Sequence, residues 1–177
     1  MSTAVCAAML VATFTFPSLQ AGQSAIPVTP STAEAEATAQ TLLKAFTAGD
    51  VPGIAQHFAD KVLFIGDPQF LGGPRGPHPR VELTREQLTE AYTKMLNAMG
   101  RDRWTTILKQ AKPIIRRAVS DESHAEDTNG ILPANFIKAG EHVLELKFPG
   151  SGIDDVVLFV LRAIDGKFKV VAHWADY

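Results

Sequence analysis

Four side chains in this sequence carry the chemistry of a small acid–base site: Asp67, Tyr92, His173 and Asp176. A carboxylate can abstract a proton or activate water, and a phenol or an imidazole can donate to a developing oxyanion. Asp67 stands directly before Pro68, where it could serve as a general base at a pocket rim. The same residue in the same place also starts an Asx turn. Tyr92 falls on the apolar face of a helical repeat, so its hydroxyl could meet a ligand oxygen or a core partner. His173 and Asp176 are three apart on a terminal strand, and ideal alternation puts them on opposite faces. A His–Asp dyad there would need a bulge or a frayed end. Under the same alternation Trp174 shares a face with Asp176.

Other chemistries have no foothold. His57, His78, His124 and His142 share no element with acidic residues at metal-ligand spacing. His124, Glu126 and Asp127 are close together but sit in a polar loop, so no metal is expected. There is no Gly-x-Ser-x-Gly, no phosphate-binding glycine loop and no His-Glu-x-x-His helix, and no cofactor is expected. The single cysteine, Cys6, lies in the N-terminal stretch, which leaves the rest of the chain without thiol chemistry. The 17 Lys and Arg against 19 Asp and Glu give a net charge of −2, which is no footprint for nucleic acid or anionic lipid.

The elements that must position these residues read as helices first and strands last. Ser31-x-x-Glu34 is a capping box, and Ala35, Ala39, Leu42, Leu43 and Phe46 follow at helical spacing until Gly49. Asp50 can cap a second, short helix with Pro52 in its first turn. Residues 62–65 read as a strand. Residues 66–80 hold too many Gly and Pro for a regular element and should form a surface loop carrying Phe70 and Leu71. Thr84-x-x-Gln87 is a second capping box, with Leu88, Ala91, Tyr92, Met95 and Met99 along one face and Gly100 at the end. Residues 104–119 read as a strand interrupted at Pro113, firmest over 114–119. Residues 141–148 alternate, with His142, Leu144, Leu146 and Phe148 on one face. Two further strands, 154–163 and 167–176, flank an Asp165-Gly166 hairpin turn. This order argues α+β.

Residues 1–33 carry no charged side chain, and residues 5–16 are nearly all apolar or small. That run suits a signal-peptide core and is too short to span a bilayer. Pro17 breaks it, and Ala21 and Ala25 are candidate cleavage residues. The expected organisation is a signal peptide at 1–25, a linker at 26–32 and one domain at 33–177. The product would be secreted or periplasmic, with no stable membrane anchor after cleavage. A plain N-terminal extension is the alternative.

Two stretches resemble the nuclear transport factor 2-like superfamily, in particular its SnoaL-like branch: "LLKAFTAGDVPGIAQHFADKVLFIGDP" and the closing "DDVVLFVLRAIDGKFKVVAHWADY". The resemblance implies a cone-shaped barrel, with N-terminal helices packed on a strongly bent, mainly antiparallel sheet around an apolar pocket. Phe46, Phe64, Phe70, Tyr92, Trp104 and Trp174 would then line that pocket. A fold shared with isomerases, dehydratases and polyketide cyclases does not fix an activity. Two functions follow as expectations. One is an exported domain binding a small apolar molecule. The alternative is an isomerase, dehydratase or hydrolase using a pocket carboxylate with Tyr or His. Residues 156–161 are apolar on both strand faces, and Val157, Phe159 and Leu161 beside Val171 would leave an exposed patch. A homodimer through that face is expected, with the chain's own 131–136 stretch or the Gly/Pro loop as the competing cover.

Overall fold

A computed structural model describes residues 31–74, 79–121, 136–148 and 156–175 of the 177-residue chain. The expected signal segment with Cys6, Ala21 and Ala25, most of the expected linker, His78, the His124–Glu126–Asp127 group and Asp176 lie outside the described residues. Both capping boxes form. The Ser31 hydroxyl and the Glu34 carboxylate satisfy each other's backbone N–H at the start of α1 (Thr32–Ala48), and Gly49 ends the helix at φ 62°. Asp50 caps the one-turn helix α2 (Val51–Ala55) through the N–H of Gly53. Thr84 and Gln87 do the same for α3 (Arg85–Met99).

Strands follow. β1 is Phe58–Gly66, and Asp67 then caps a 3-10 turn over Pro68–Leu71, so part of the Gly/Pro loop is ordered. β2 (Arg80–Thr84) runs into α3, which is followed by α4 (Arg101–Leu108). The remaining strands are β3 (Lys112–Arg117), β4 (His142–Lys147), β5 (Val156–Ile164) and β6 (Lys167–Ala175). The expected strand over 104–119 is corrected at its start. Trp104 and Leu108, four apart, bury one face of a helix, and the strand begins only at Lys112. Pro113, which has no N–H to give, is tolerated because β3 is an edge strand.

The sheet order is β2-β1-β6-β5-β4-β3, and the sheet is not closed into a barrel. All neighbours are antiparallel except β1 and β6, which run parallel. The class is α+β, with helices packed on a mixed six-stranded sheet. Helix α1 lies on β3, β4 and β6, and α3 lies on β1 and β2.

Each face of the sheet carries its own apolar cluster. The helix-facing cluster gathers Leu42, Phe46, Leu88, Tyr92 and Trp104 with Val157, Phe159 and Leu161. The opposite cluster joins Ile65, Val143, Val156, Leu158, Val160, Ala172 and Trp174 to Phe136 and Ile137. Val157, Phe159 and Leu161 therefore face the helices rather than forming an outer patch. Val156, Leu158 and Val160 on the other side are buried within the single chain. Phe136, the last residue of the proposed intramolecular cover, and its neighbour Ile137 pack on them; 131–135 lie outside the described residues.

One irregularity decides which β6 residues point inward. Val160 pairs with Ala172, but Leu161 pairs with Val170, so Val171 is an extra residue in β6. Such a bulge shifts the alternation of the strand by one. Phe168 and Val170 face the helices before it, and His173 and Ala175 face them after it. Ala172 and Trp174 are sent to the opposite cluster.

Candidate functional site

Phe46 from α1, Tyr92 from α3 and Trp104 from α4 meet Phe64 of β1 and Phe159 and His173 of the hairpin. The 3-10 turn inserts Phe70 among them. The Phe46 ring lies 4.9 Å from Trp104, 5.2 Å from Phe159 and 6.0 Å from Tyr92. Phe70 lies 5.0 Å from Phe64 and 4.9 Å from Tyr92. His173 stacks on its cross-strand neighbour Phe159 at 4.4 Å with the planes 3° apart. All of these rings are buried. Trp104 also donates its indole N–H to the Phe46 carbonyl at 2.7 Å, which secures α4 to the C-terminal turns of α1.

The polar atoms inside this cluster fix each other's state. Nδ1 of His173 is 3.1 Å from the Leu158 carbonyl oxygen, which can only accept. Nδ1 therefore carries the proton. Complete burial lowers the imidazole pKa to about 3, against a weaker opposing pull from the Leu158 hydrogen bond, so the ring is neutral at physiological pH. Nε2 is then a bare acceptor, and the Tyr92 hydroxyl, 2.6 Å away, donates to it. The phenol proton is thus committed inside the protein, and so are both histidine nitrogens.

Asp67 is half-buried and occupied as well. Its carboxylate accepts the N–H of Gln69 at 2.8 Å, and its own N–H donates to the Ala175 carbonyl at 3.0 Å. Of the residues singled out from the sequence, Phe46, Phe64, Phe70, Tyr92, Trp104 and His173 come together. Asp67 adjoins them through the turn that carries Phe70. Trp174 is on the other face of the sheet, paired with Ile65 and Leu158. Asp176 lies outside the described residues. Among the described residues no three His, Cys, Asp or Glu side chains gather as a metal-binding group.

Two clefts lie away from this cluster. A cleft of about 550 Å³ sits where the N-cap of α1, Ser31, and its first residue, Thr32, approach the ends of β3 to β6. Its walls include Arg117, Lys138, Glu141, His142, Leu161 and Phe168. A second cleft of about 500 Å³ flanks Phe168 on the other side, beside His57 and Lys169. In the first cleft His142 is buried, its ring centroid 5.3 Å from that of Phe168 in an edge-to-face arrangement, and among the described residues neither ring nitrogen has a partner. Burial, and the Arg117 guanidinium beside it, lower the His142 pKa against a weaker opposing pull from Glu36. Glu141 is spent internally: it accepts the N–H of Lys138 at 2.7 Å and the Nε of Arg162 at 2.6 Å.

Sequence reading weighed His142 only as a metal ligand and passed over Arg117. The two are 25 positions apart, and only the β3–β4 pairing sets them opposite each other. The usable signal was a polar residue within an otherwise apolar alternating face.

No protein-family model and no curated protein matches the chain. It is similar to solved structures at low identity. One is an NTF-2-like protein of unknown function from Shewanella oneidensis MR-1, at 12% identity and TM-score 0.48, covering 82% of this chain and 98% of that one. Another is a ketosteroid isomerase-like protein from Erwinia carotovora atroseptica SCRI1043, at 16% identity and TM-score 0.38, covering 81% and 93%. A third is a protein of unknown function with a cystatin-like fold from Nostoc punctiforme PCC 73102, at 13% identity and TM-score 0.44, covering 84% and 93%. The structural neighbours thus include proteins described as NTF-2-like, as ketosteroid isomerase-like and as having a cystatin-like fold.

Proposed function

We propose that the chain is a small-molecule-binding domain whose ligand sits in the cleft at the head of α1. The observation that carries this reading is His142, a buried imidazole in the cleft wall with no hydrogen-bond partner for either nitrogen among the described residues. A buried polar atom left unsatisfied costs about 1–3 kcal/mol, a cost that a ligand group meeting it would remove. The cleft volume of about 550 Å³ is within the range of small-molecule sites. Leu161 and Phe168 supply an apolar floor. The aromatic interior around Tyr92, by contrast, is filled by its own rings, and its polar atoms already have partners. The enzymatic alternative at that centre would require the Tyr92 hydroxyl to leave His173 before it could donate to a substrate. Export of the domain is part of the proposal and rests on the uncharged apolar run at residues 5–16.

Amide NMR of the full chain titrated with 1-octanol, a neutral apolar probe, and with octanoate tests the site. The expected result is saturable shifts at His142, Leu161 and Phe168 with at least one of the probes. Shifts confined to Tyr92, Phe70 and His173, or no shifts with either probe, would reject the reading.

A further inference from the structure

We infer that the ligand of the α1 cleft is an anion with an apolar body, a small carboxylate, held through Arg117 and His142. The inference rests on the binding reading above and adds the chemical class of the ligand.

Strand register sets three side chains side by side. Arg117 of β3 pairs directly with His142 of β4, and His142 pairs directly with Leu161 of β5. Directly paired residues project from the same face with their Cβ atoms about 5 Å apart. A cation, a neutral imidazole and an apolar side chain therefore form one row across three strands, and all three line the cleft.

Charge gives the sign of the ligand. Arg117 is exposed and has no ion-pair or hydrogen-bond partner among the described residues. Arg162 and Lys138 add two more cations to the wall. Arg162 is engaged with Glu141, and Lys138 reaches Asp121 at 3.3 Å. Among the described residues of the wall the one carboxylate, Glu141, is taken up by Arg162 and by the Lys138 N–H. Glu36, on α1, is close enough to act on His142 but does not line the cleft. Ser31 and Thr32 at the start of the 17-residue α1 also face the cleft, where the Glu34 carboxylate of the capping box already meets the positive end of the helix dipole. A planar guanidinium offers two parallel N–H groups, the geometry that a carboxylate matches.

Shape gives the rest. Gly140, at φ 86°, lies beneath Arg117, whose Nη2 is 3.5 Å from where a Cβ would stand. A side chain there would be strained by the left-handed backbone, while its Cβ would stand at ordinary contact distance from the guanidinium. Phe168 and Leu161 then leave an apolar surface next to the cations, suited to an alkyl or aryl body.

The test compares octanoate, 1-octanol and inorganic phosphate on the full chain by calorimetry and amide NMR. Octanoate should bind about tenfold or more tighter than octanol, the size of a charge-assisted hydrogen bond. Arg117→Gln should erase that preference while leaving octanol affinity within a factor of about two, and Arg117→Lys should restore part of it. Arg117 is exposed on an edge strand, so these variants keep the fold, which far-ultraviolet circular dichroism checks. Equal binding of octanoate and octanol, or a preference that survives Arg117→Gln, overturns the anion inference and leaves the binding reading standing. Phosphate binding as tight as octanoate overturns the apolar-bodied carboxylate. Absence of binding by both octanoate and octanol rejects the binding reading itself.

Discussion

The Tyr92 hydroxyl donates to Nε2 of His173 across 2.6 Å in the middle of the core, tying α3 to β6 over 81 residues of chain. Both side chains are buried, and His173 is closed off at its other nitrogen by the Leu158 carbonyl. Tyr92→Phe leaves Nε2 buried without a donor, which should cost about 1–3 kcal/mol. The double variant Tyr92→Phe with His173→Leu should cost less than the sum of the two single changes, because it removes both polar partners at once. Urea unfolding of the four proteins measures this. A coupling below about 0.5 kcal/mol would mean the pair holds nothing together.

The same histidine should make the fold acid-sensitive. Its folded pKa is about 3, against 6.5 for the free group, with burial as the main cause. The unfolded chain then binds more protons than the native one throughout that window, so native stability falls as the pH falls. The contribution is intact above about pH 6.5 and is lost toward pH 3, with a slope of up to about 1.4 kcal/mol per pH unit. His57 and His142, both also shifted down by burial, act in the same sense. Stability measured against pH should therefore drop between 6.5 and 4, and His173→Leu should flatten that drop to the share of the other two. An unchanged slope in the variant would contradict the neutral, buried state assigned to His173.

Gly66 tests how closely β1 and β6 approach. A Cβ at this position would stand 2.1 Å from the Ala175 carbonyl oxygen, which also accepts the Asp67 N–H. The obstacle is backbone, so the parallel pair itself would have to open. Gly66→Ala should destabilise by about 1–3 kcal/mol, the usual range for overpacking. Hydrogen exchange should show lost protection at Asp67 and in the paired stretch of β6. A neutral effect on the melting temperature would show that the two strands separate at no cost.

Much of the fold could be read from local signals, and its exceptions have a common cause. The capping boxes at Ser31 and Thr84 and the Asp165-Gly166 turn are decided within a few residues. The turn residues take φ 48° and 72°, as a two-residue hairpin requires. Helix α4 was missed because Trp104, Ile107 and Leu108 merge with the β-favouring run that follows. The bulge at Val171 was missed because it is a property of the β5–β6 pairing and not of β6 alone. It turns His173 toward the helices and Trp174 away from them, the reverse of what unbroken alternation from Phe168 and Val170 would give. The Tyr92–His173 bond and the Arg117–His142 row are products of sheet register. Their members could be named singly from the sequence, or not at all, but not paired.

The second apolar face of the sheet yields the last prediction. Ile137 is fully buried against it, together with Phe136, and both are 8% exposed or less within one chain. The homodimer expected from the sequence was drawn through Val157, Phe159 and Leu161, which face the helices instead; a homodimer through the face of Val156, Leu158 and Val160 would have to displace this cover. Ile137→Ala should cost about 2–5 kcal/mol, as for other buried aliphatic truncations. The two arrangements differ in how that loss depends on protein concentration. An intramolecular cover gives the same unfolding midpoint at every concentration, whereas a subunit interface gives a midpoint that rises with concentration by mass action. Urea unfolding of wild type and Ile137→Ala over a hundredfold concentration range, with light scattering at the same points, separates them. The buried state of Val156, Leu158 and Val160 in the single chain leads to the concentration-independent outcome. A dimer mass together with a concentration-dependent midpoint would instead assign this face to self-association.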